Sequence, residues 1–158
     1  MKAVATLAFM GVSSYAFAAQ HDAKAMEKYA AAIRKIESTN RYNITANAGR
    51  GRTVLGAYQI LDAWSLAALG RPVSQTEFLR SRDIQDQIFK HRFGHYVRKH
   101  GPHGAARAWL GGEGAARGRE GGMDRFGSTP SSYAYRFLRE ASRNPSDRAP
   151  ATLETVGG

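Results

Sequence analysis

Apolar residues at helical spacing, interrupted at short intervals by glycine and proline, are the feature that most constrains how this chain can fold. Met26, Ala30 and Ile33 follow an i, i+4, i+7 series within residues 22–38, which predicts an amphipathic helix. A second stripe lies in "DIQDQIFKHRFGHYVRKHG" and ends at Gly101, a residue type that favours a helix C-terminus. That stripe consists of Ile84, Ile88, Phe89, Phe93, Tyr96 and Val97. The pattern favours a mainly α fold.

Boundary signals predict two helices between these stripes. The segment "AYQILDAWSLAAL", residues 57–69, has helical periodicity and is followed by the stop signals Gly70 and Pro72. Ser74 and Glu77 have the spacing of a capping box, which predicts a short helix through about residue 79.

The second half of the chain is predicted in the same way. "GAARAWL" forms a further short helix ending at Gly111, and Thr129 and Pro130 are placed as the N-cap and first residue of a last helix, "SSYAYRFLREA". The glycine-rich run between them predicts an irregular loop, and "TNRYNITANAGRGRT" predicts loops or a short β-hairpin. We therefore expect about six short helices and at most one hairpin.

A chain of 158 residues has room for one domain. Residues 1–18 have the pattern of a secretory signal, with an uncharged run over residues 3–12 and a small-residue cleavage site at Ala16-Phe17-Ala18; the alternative is a buried N-terminal helix. Residues 19–142 would form the domain and residues 143–158 a disordered tail. No other run approaches the roughly 20 apolar residues of a membrane span, so we expect an exported, periplasmic or extracellular protein.

The charge is strongly positive, with 23 Lys and Arg against 13 Asp and Glu and a net charge of +10, and there are no cysteines. An anionic partner is indicated, which could be nucleic acid, an acidic membrane surface or a cell-wall polymer. Export favours the last two, and the alternative is that the basic clusters are simply solvated faces.

Glu37 is the residue whose position needs an explanation. It continues the series of Met26, Ala30 and Ile33, so a carboxylate occupies a core-facing position at the end of a helix. Burial and the negative end of the helix dipole would both raise its pKa, which suits a general acid. The alternative is that the last turn drifts and Glu37 points outward.

Four segments occur in the order typical of a known family. They are Glu37-Ser38, Gly56-Ala57-Tyr58-Gln59-Ile60, Ala108-Trp109-Leu110-Gly111-Gly112 and Tyr133. In this order they resemble the lytic transglycosylases of the lysozyme-like superfamily, which cleave peptidoglycan glycan strands, and "RYNITANAGRGRTVLGAYQI" is similar to variants associated with phage particles and secretion systems. The resemblance implies a lysozyme-like fold, peptidoglycan as partner, and no cofactor.

The resemblance also implies a mechanism with a single carboxyl group. Glu37 would protonate the glycosidic oxygen after N-acetylmuramic acid and then, as a base, deprotonate the sugar's 6-hydroxyl, giving a 1,6-anhydro product. The substrate supplies the nucleophile, so no second carboxylate is required. The main alternative is a hydrolytic muramidase, which needs a second carboxylate near the first. No acid occurs between Glu37 and Asp62, and this absence favours the transglycosylase reaction.

The resemblance also implies supporting roles. Ser38 would orient the acid or a sugar, Gln59 would bind an acetamido group, and Tyr133 would contact Glu37 or substrate, with Tyr135 as its rival. The alternatives are an ordinary helix-end serine and a polar surface glutamine.

Two aromatic residues are further candidates for the cleft, with less distinct roles. Tyr58 and Trp109 would line it, although core packing explains them equally well. Tyr58 and Leu110 replace the family's Met and Asn, so the contacts of those two side chains are not carried over.

Other functions are possible for some features of the sequence. His91 and His95 have a zinc-ligand spacing, but the surrounding basic residues would repel the ion, and we expect no metal site. A nucleic-acid-binding module, or a cell-wall-binding module without catalysis, is the alternative from another class. We expect a monomer that does not bind nucleic acid.

Overall fold

The structure is a computed structural model that describes residues 11–48, 51–61, 64–121, 123–124 and 127–143. The described residues are mainly helical, as predicted. The helices are α1 (Gly11–Ser38), α2 (Ser65–Leu69), α3 (Gln75–Arg80), α4 (Arg82–Gly111), α5 (Glu113–Ala116) and α6 (Pro130–Ser142), and the strands are β1 (Thr45–Asn47), β2 (Thr53–Leu55) and β3 (Ile60–Leu61).

The long helix α4 is broken once, where the sequence predicted a helix end. Gly101 has φ 67° and ψ 173°, and Pro102 starts the second segment. Ser81 caps the N-terminus of α4 by accepting a hydrogen bond from the Ile84 amide at 3.2 Å. The predicted apolar face is confirmed, since Ile88, Phe89, Phe93 and Tyr96 are buried.

A small antiparallel sheet lies between α1 and α2. The predicted hairpin is confirmed as β1 and β2, which pair Thr45 with Leu55. The sheet has a third strand, because β3 pairs with β2 through Ile60 and Leu55. The expectation of at most one hairpin was therefore wrong.

The same region corrects the helix predicted over residues 57–69, because α2 starts only at Ser65. Gly56 and Gln59 have φ of 69° and 52°, values that a right-handed helix cannot contain. The backbone amide of Gln59 donates to the Gly56 carbonyl at 3.2 Å and closes a turn. Apolar spacing over so short a segment does not distinguish a strand and turn from a helix.

The core is formed where α1, α4 and α6 pack together. Ala30 and Ile33 of α1, Phe89 and Phe93 of α4, and Phe137 of α6 are all fully buried. Tyr58 stacks on Phe89 with 4.3 Å between ring centroids, which joins the turn after β2 to the same core. Helix α1 also packs directly against α6.

Side-chain hydrogen bonds cap the N-terminal ends of α6 and α3. Thr129 and Ser132 form a reciprocal capping box, with Pro130 at the start of α6, so the predicted cap is confirmed. Ser74 caps α3 by accepting from the Glu77 amide at 3.2 Å, while the Glu77 carboxylate bonds Arg71 at 2.6 Å.

The first helix already includes Gly11, whereas the sequence predicted its start at residue 22, because the alanine-rich run before residue 22 contains no helix breaker. The predicted cleavage site after Ala18 therefore lies within α1. Residues 1–10 of the predicted signal and residues 144–158 of the predicted tail lie outside the described residues. In the described part of the chain, no helix has the length and apolar character needed to cross a membrane.

Candidate active site

Glu37 lies in the last turn of α1, in line with Ala30 and Ile33, which are fully buried. Its side chain is only partly exposed. Burial raises the pKa of the Glu37 carboxyl to about 7, against the opposing effects of a hydrogen bond from Tyr133 and the charge of Arg136. A carboxyl group with this pKa is half protonated near neutral pH and can both donate and accept a proton.

Tyr133 of α6 is the partner of this carboxyl group. Its hydroxyl donates a hydrogen bond to Glu37 Oε1, and its side chain is 1% exposed. Tyr135, the rival in the sequence, is 69% exposed and lies on another face of α6. The structure therefore brings Tyr133 and not Tyr135 to Glu37.

The outward alternative for Glu37 required a basic partner on α1 or just after it. Arg34 instead donates to the Tyr58 hydroxyl at 2.7 Å, and Arg41 donates through Nε to the Ser38 carbonyl at 2.9 Å. Both guanidinium groups are thus bound to partners other than the Glu37 carboxylate.

Two further charges act on Glu37, and sequence reasoning missed both. Arg136 lowers the pKa of Glu37 and Asp124 raises it; the Arg136 guanidinium lies over the Tyr133 ring, 5.4 Å from its centroid. Asp124 Oδ1 accepts a hydrogen bond from the Ser128 amide at 2.7 Å, within the turn that leads into α6. The sequence did contain a signal for Asp124, since it is an acid in the glycine-rich run that precedes the helix of Tyr133.

Ser38 lies beside Glu37 in the chain, but its hydroxyl serves the helix end. It donates to the Arg34 carbonyl at 3.2 Å and accepts from the Arg41 amide at 3.0 Å. These bonds satisfy backbone groups at the C-terminus of α1. They correspond to the structural alternative for Ser38, and a contact with substrate stays a prediction.

Tyr58 is a core residue and does not line a cleft in this structure. It is fully buried, its hydroxyl donates to Asp86 Oδ1 at 2.6 Å, and burial followed by this hydrogen bond raises the pKa of the phenol. The geometry supports the core alternative, because the Tyr58 ring is buried against Phe89 and its hydroxyl is already hydrogen-bonded to Asp86.

Gln59 is partly exposed at the turn after β2. Its side-chain amide donates to the Gly56 carbonyl at 2.9 Å, so this bond holds its own turn together. The carbonyl oxygen of the Gln59 amide is not used in that bond, and the predicted contact with a sugar stays a prediction.

The turn that carries Gln59 is fixed by Gln85, a fully buried residue that sequence reasoning missed. Gln85 Oε1 accepts from the Ala57 amide at 2.8 Å, and Gln85 Nε2 donates to the carbonyls of Phe78 at 2.9 Å and Tyr42 at 3.0 Å. The available signal was a polar residue set among the apolar positions of α4.

Trp109 lies at the edge of the core and is partly exposed. Its ring makes edge contacts with Trp64 and Phe89, at 5.2 Å and 5.3 Å between centroids. Packing therefore accounts for most of its surface, while the exposed part leaves the predicted cleft role open.

Arg107 secures the loop that leads to the site, and it too was missed. It is 8% exposed, donates to the Ala115 carbonyl at 2.8 Å, and pairs with Glu120 at 2.7 Å. It also donates to Ser131 in the first turn of α6. Arg107 thus ties the glycine-rich loop to the helix that carries Tyr133.

No group of three His, Asp or Glu side chains suited to a metal ion occurs among the described residues. His91 and His95, which have the zinc-ligand spacing, are both exposed on α4.

Comparisons with protein-family models, with curated proteins and with solved structures found no match. The site itself and the order of the sequence segments are therefore the two features that indicate a function.

Proposed function

We propose that this protein is an exported peptidoglycan lytic transglycosylase with a lysozyme-like fold, and that Glu37 is its acid and base. The observation that carries the proposal is the carboxyl group of Glu37 in the last turn of α1, which accepts a hydrogen bond from Tyr133 and has a pKa of about 7. The ordered segments around Glu37, Gln59, Trp109 and Tyr133 support the same assignment.

In the proposed reaction, protonated Glu37 gives its proton to the oxygen of the β-1,4 bond as that bond to C1 of N-acetylmuramic acid breaks. The resulting carboxylate then takes the proton of the 6-hydroxyl of the same sugar while its oxygen bonds to C1. The product is a 1,6-anhydro sugar, no water is consumed, and Glu37 ends protonated as it began. A pKa near neutrality suits both steps because neither protonation state is strongly disfavoured.

Tyr133 has a positioning role in this proposal. Its hydroxyl fixes one carboxyl oxygen of Glu37, which leaves the other oxygen to face the substrate. Because Tyr133 is buried and its helix is capped by Thr129, the donor is held in place before substrate binds, and preorganisation of this kind favours catalysis.

A hydrolytic muramidase of the same fold is the second candidate, and Asp124 is the observation that favours it. The sequence has no acid between Glu37 and Asp62, yet the more distant Asp124 acts electrostatically on Glu37. A second carboxylate near the acid is what a hydrolase uses to activate water or to bond C1.

The proposal is tested by solubilisation of purified cell walls. The wild-type chain should release soluble fragments, and E37Q should release none, since glutamine cannot donate the proton. E27Q is a matched control on the same helix, because Glu27 is exposed and pairs with Lys90; it should retain activity. Equal release by E37Q and the wild type would contradict the assignment of Glu37.

A further inference from the structure

A groove separate from the Glu37 site lies where the loop after α1 meets the start of α4. Its volume is about 550 Å³, and its polar lining comes from Asn40, Arg41, Tyr42, Asn43, Arg80 and Arg82. Neither Glu37 nor Tyr133 lines it. We refer to these six residues as the arginine groove.

The three arginines of the arginine groove are available to a ligand. Arg41, Arg80 and Arg82 are exposed, and within the described part of the chain none of them forms an ion pair with a carboxylate. Arg41 uses Nε to bond the Ser38 carbonyl, which fixes its side chain and leaves its terminal nitrogens. Three unpaired guanidinium groups in one concavity attract an anion.

The acids close to Arg80 and Arg82 in the chain do not line the arginine groove, and Glu77 pairs with Arg71 instead. Asp83 follows Arg82 but does not line the groove. Asp86 accepts hydrogen bonds from Tyr58 at 2.6 Å and Tyr42 at 3.1 Å and lies 3.7 Å from Arg34, so its charge is already compensated.

We propose that the arginine groove binds an oxyanion group, a carboxylate or a phosphate, carried by a cell-wall polymer. This inference rests on the proposed function, because it takes the wall as the ligand. A guanidinium group matches two oxygens of such an anion at once, and the amides of Asn40 and Asn43 add donors. Asn40 follows Glu37 by three residues, so their Cα atoms are at most about 11 Å apart, and a polymer held in the groove can extend to the reacting bond.

The chemistry of the groove fits a wall polymer better than a nucleic acid. Single-stranded nucleic acid is bound by basic grooves with aromatic rings open for base stacking. The one ring of the arginine groove, Tyr42, is covered by the Arg82 guanidinium 5.1 Å from its centroid and meets Tyr58 edge-on. The groove therefore offers charge and hydrogen bonds without a free stacking surface.

The test measures binding of the E37Q chain to purified cell walls by co-sedimentation over a range of salt concentrations. Adding R80Q and R82Q should weaken binding about tenfold at low salt and reduce its salt dependence. R98Q with R119Q is the matched control, since both arginines are exposed and lie outside the groove; it should change binding less than about twofold. R80Q alone checks the result without disturbing the contact of Arg82 with Tyr42.

Two treated wall preparations identify the source of the anion. Walls stripped of phosphate polymers and walls stripped of their peptide stems are compared, and the one on which the groove variants no longer differ from E37Q has lost the ligand. The proposal would be overturned if the groove variants still bound more weakly than E37Q on both treated preparations. It would also be overturned if the groove and control variants lost the same affinity for walls, or if the groove variants lost affinity for DNA and none for walls. Because binding is measured in E37Q, this failure is distinct from a failure of the wild type to cleave.

Discussion

Tyr133 and Glu37, 96 residues apart in the chain, are joined by a hydrogen bond from the Tyr133 hydroxyl to Glu37 Oε1. The bond connects the first half of α6 to the last turn of α1 and places a donor on a carboxyl group whose pKa burial raises to about 7. The reactivity proposed for Glu37 therefore depends on how α6 is positioned as well as on α1.

Replacement of Tyr133 by phenylalanine should alter both the rate and its pH dependence. The hydrogen bond lowers the pKa of Glu37, so Y133F should raise that pKa further. Glu37 acts first in its protonated form, and the fall in activity at high pH should move to higher pH. We expect kcat/KM at the optimum to fall by about fivefold to tenfold, from the loss of one positioning bond.

Y135F is the control for this measurement, because Tyr135 is exposed on the same helix. It should leave the pH profile of wall cleavage unchanged. A profile for Y133F that coincides with that of Y135F would contradict the positioning role of Tyr133.

The two charges near Glu37 should shift its pKa in opposite directions. Asp124 raises the pKa and Arg136 lowers it, so D124N should move the high-pH fall in activity to lower pH, and R136Q should move it to higher pH. Asparagine keeps an oxygen that can accept from the Ser128 amide.

NMR titration of the Glu37 carboxyl measures this pKa directly. R139Q is the control for R136Q, because it removes the same charge from α6. Shifts of the same sign in D124N and R136Q would be inconsistent with the structure.

Folding stability should also depend on the protonation of Glu37. The folded-state pKa of about 7 lies above the usual glutamate value of 4.5, so the folded chain binds the proton more tightly than the unfolded chain does. The contribution of Glu37 to stability is therefore fully present below pH 4.5 and is lost as the pH rises through about 7. On going from pH 4 to pH 8, the wild type should lose about 1–3 kcal/mol relative to E37Q.

Urea unfolding of both proteins at the two pH values measures this difference, and groups that titrate in both proteins cancel. E27Q should show a smaller change, because Glu27 is exposed. A stability difference between E37Q and the wild type that stays constant with pH would mean that Glu37 is not desolvated.

The turn carrying Gln59 provides a test of the fold around the site. A Cβ added at Gly56, where φ is 69°, would lie 2.0 Å from Gln85 Oε1. G56A should therefore destabilise the protein by about 2–4 kcal/mol, through both backbone strain and the displaced glutamine. The control is Gly70, which has φ of 68° and nothing within 4 Å of its added Cβ, so G70A should lower the free energy of unfolding by only about 1 kcal/mol. Equal losses of stability for G56A and G70A in thermal unfolding would argue against the contact with Gln85.

The sequence predicts those parts of the fold that depend on neighbouring residues. The cap at Thr129 and Pro130, the break at Gly101 and the apolar face of α4 follow from local signals, and Glu37 is found in the core-facing position that its spacing indicated. Strand β3 was missed because the turn before it depends on Gln85, which is 28 residues from Ala57 and bonds its amide.

The remaining errors and omissions in the site have the same physical origin. The choice between Tyr133 and Tyr135 depends on the rotation of α6 against α1, which no local pattern sets. Asp124 follows Glu37 by 87 positions in the chain, yet it acts on the same carboxyl group, because chain separation does not measure distance in a folded protein.

The central claim, that Glu37 cleaves the glycan strand without water, is tested most directly by digesting cell walls in water enriched in the heavy isotope of oxygen and weighing the released fragments. A transglycosylase should give fragments one water lighter than hydrolysis products, with no heavy oxygen, from the wild type and none from E37Q. Fragments with reducing ends that carry heavy oxygen would instead identify a hydrolase, and release of no fragments by the wild type would contradict the enzymatic function.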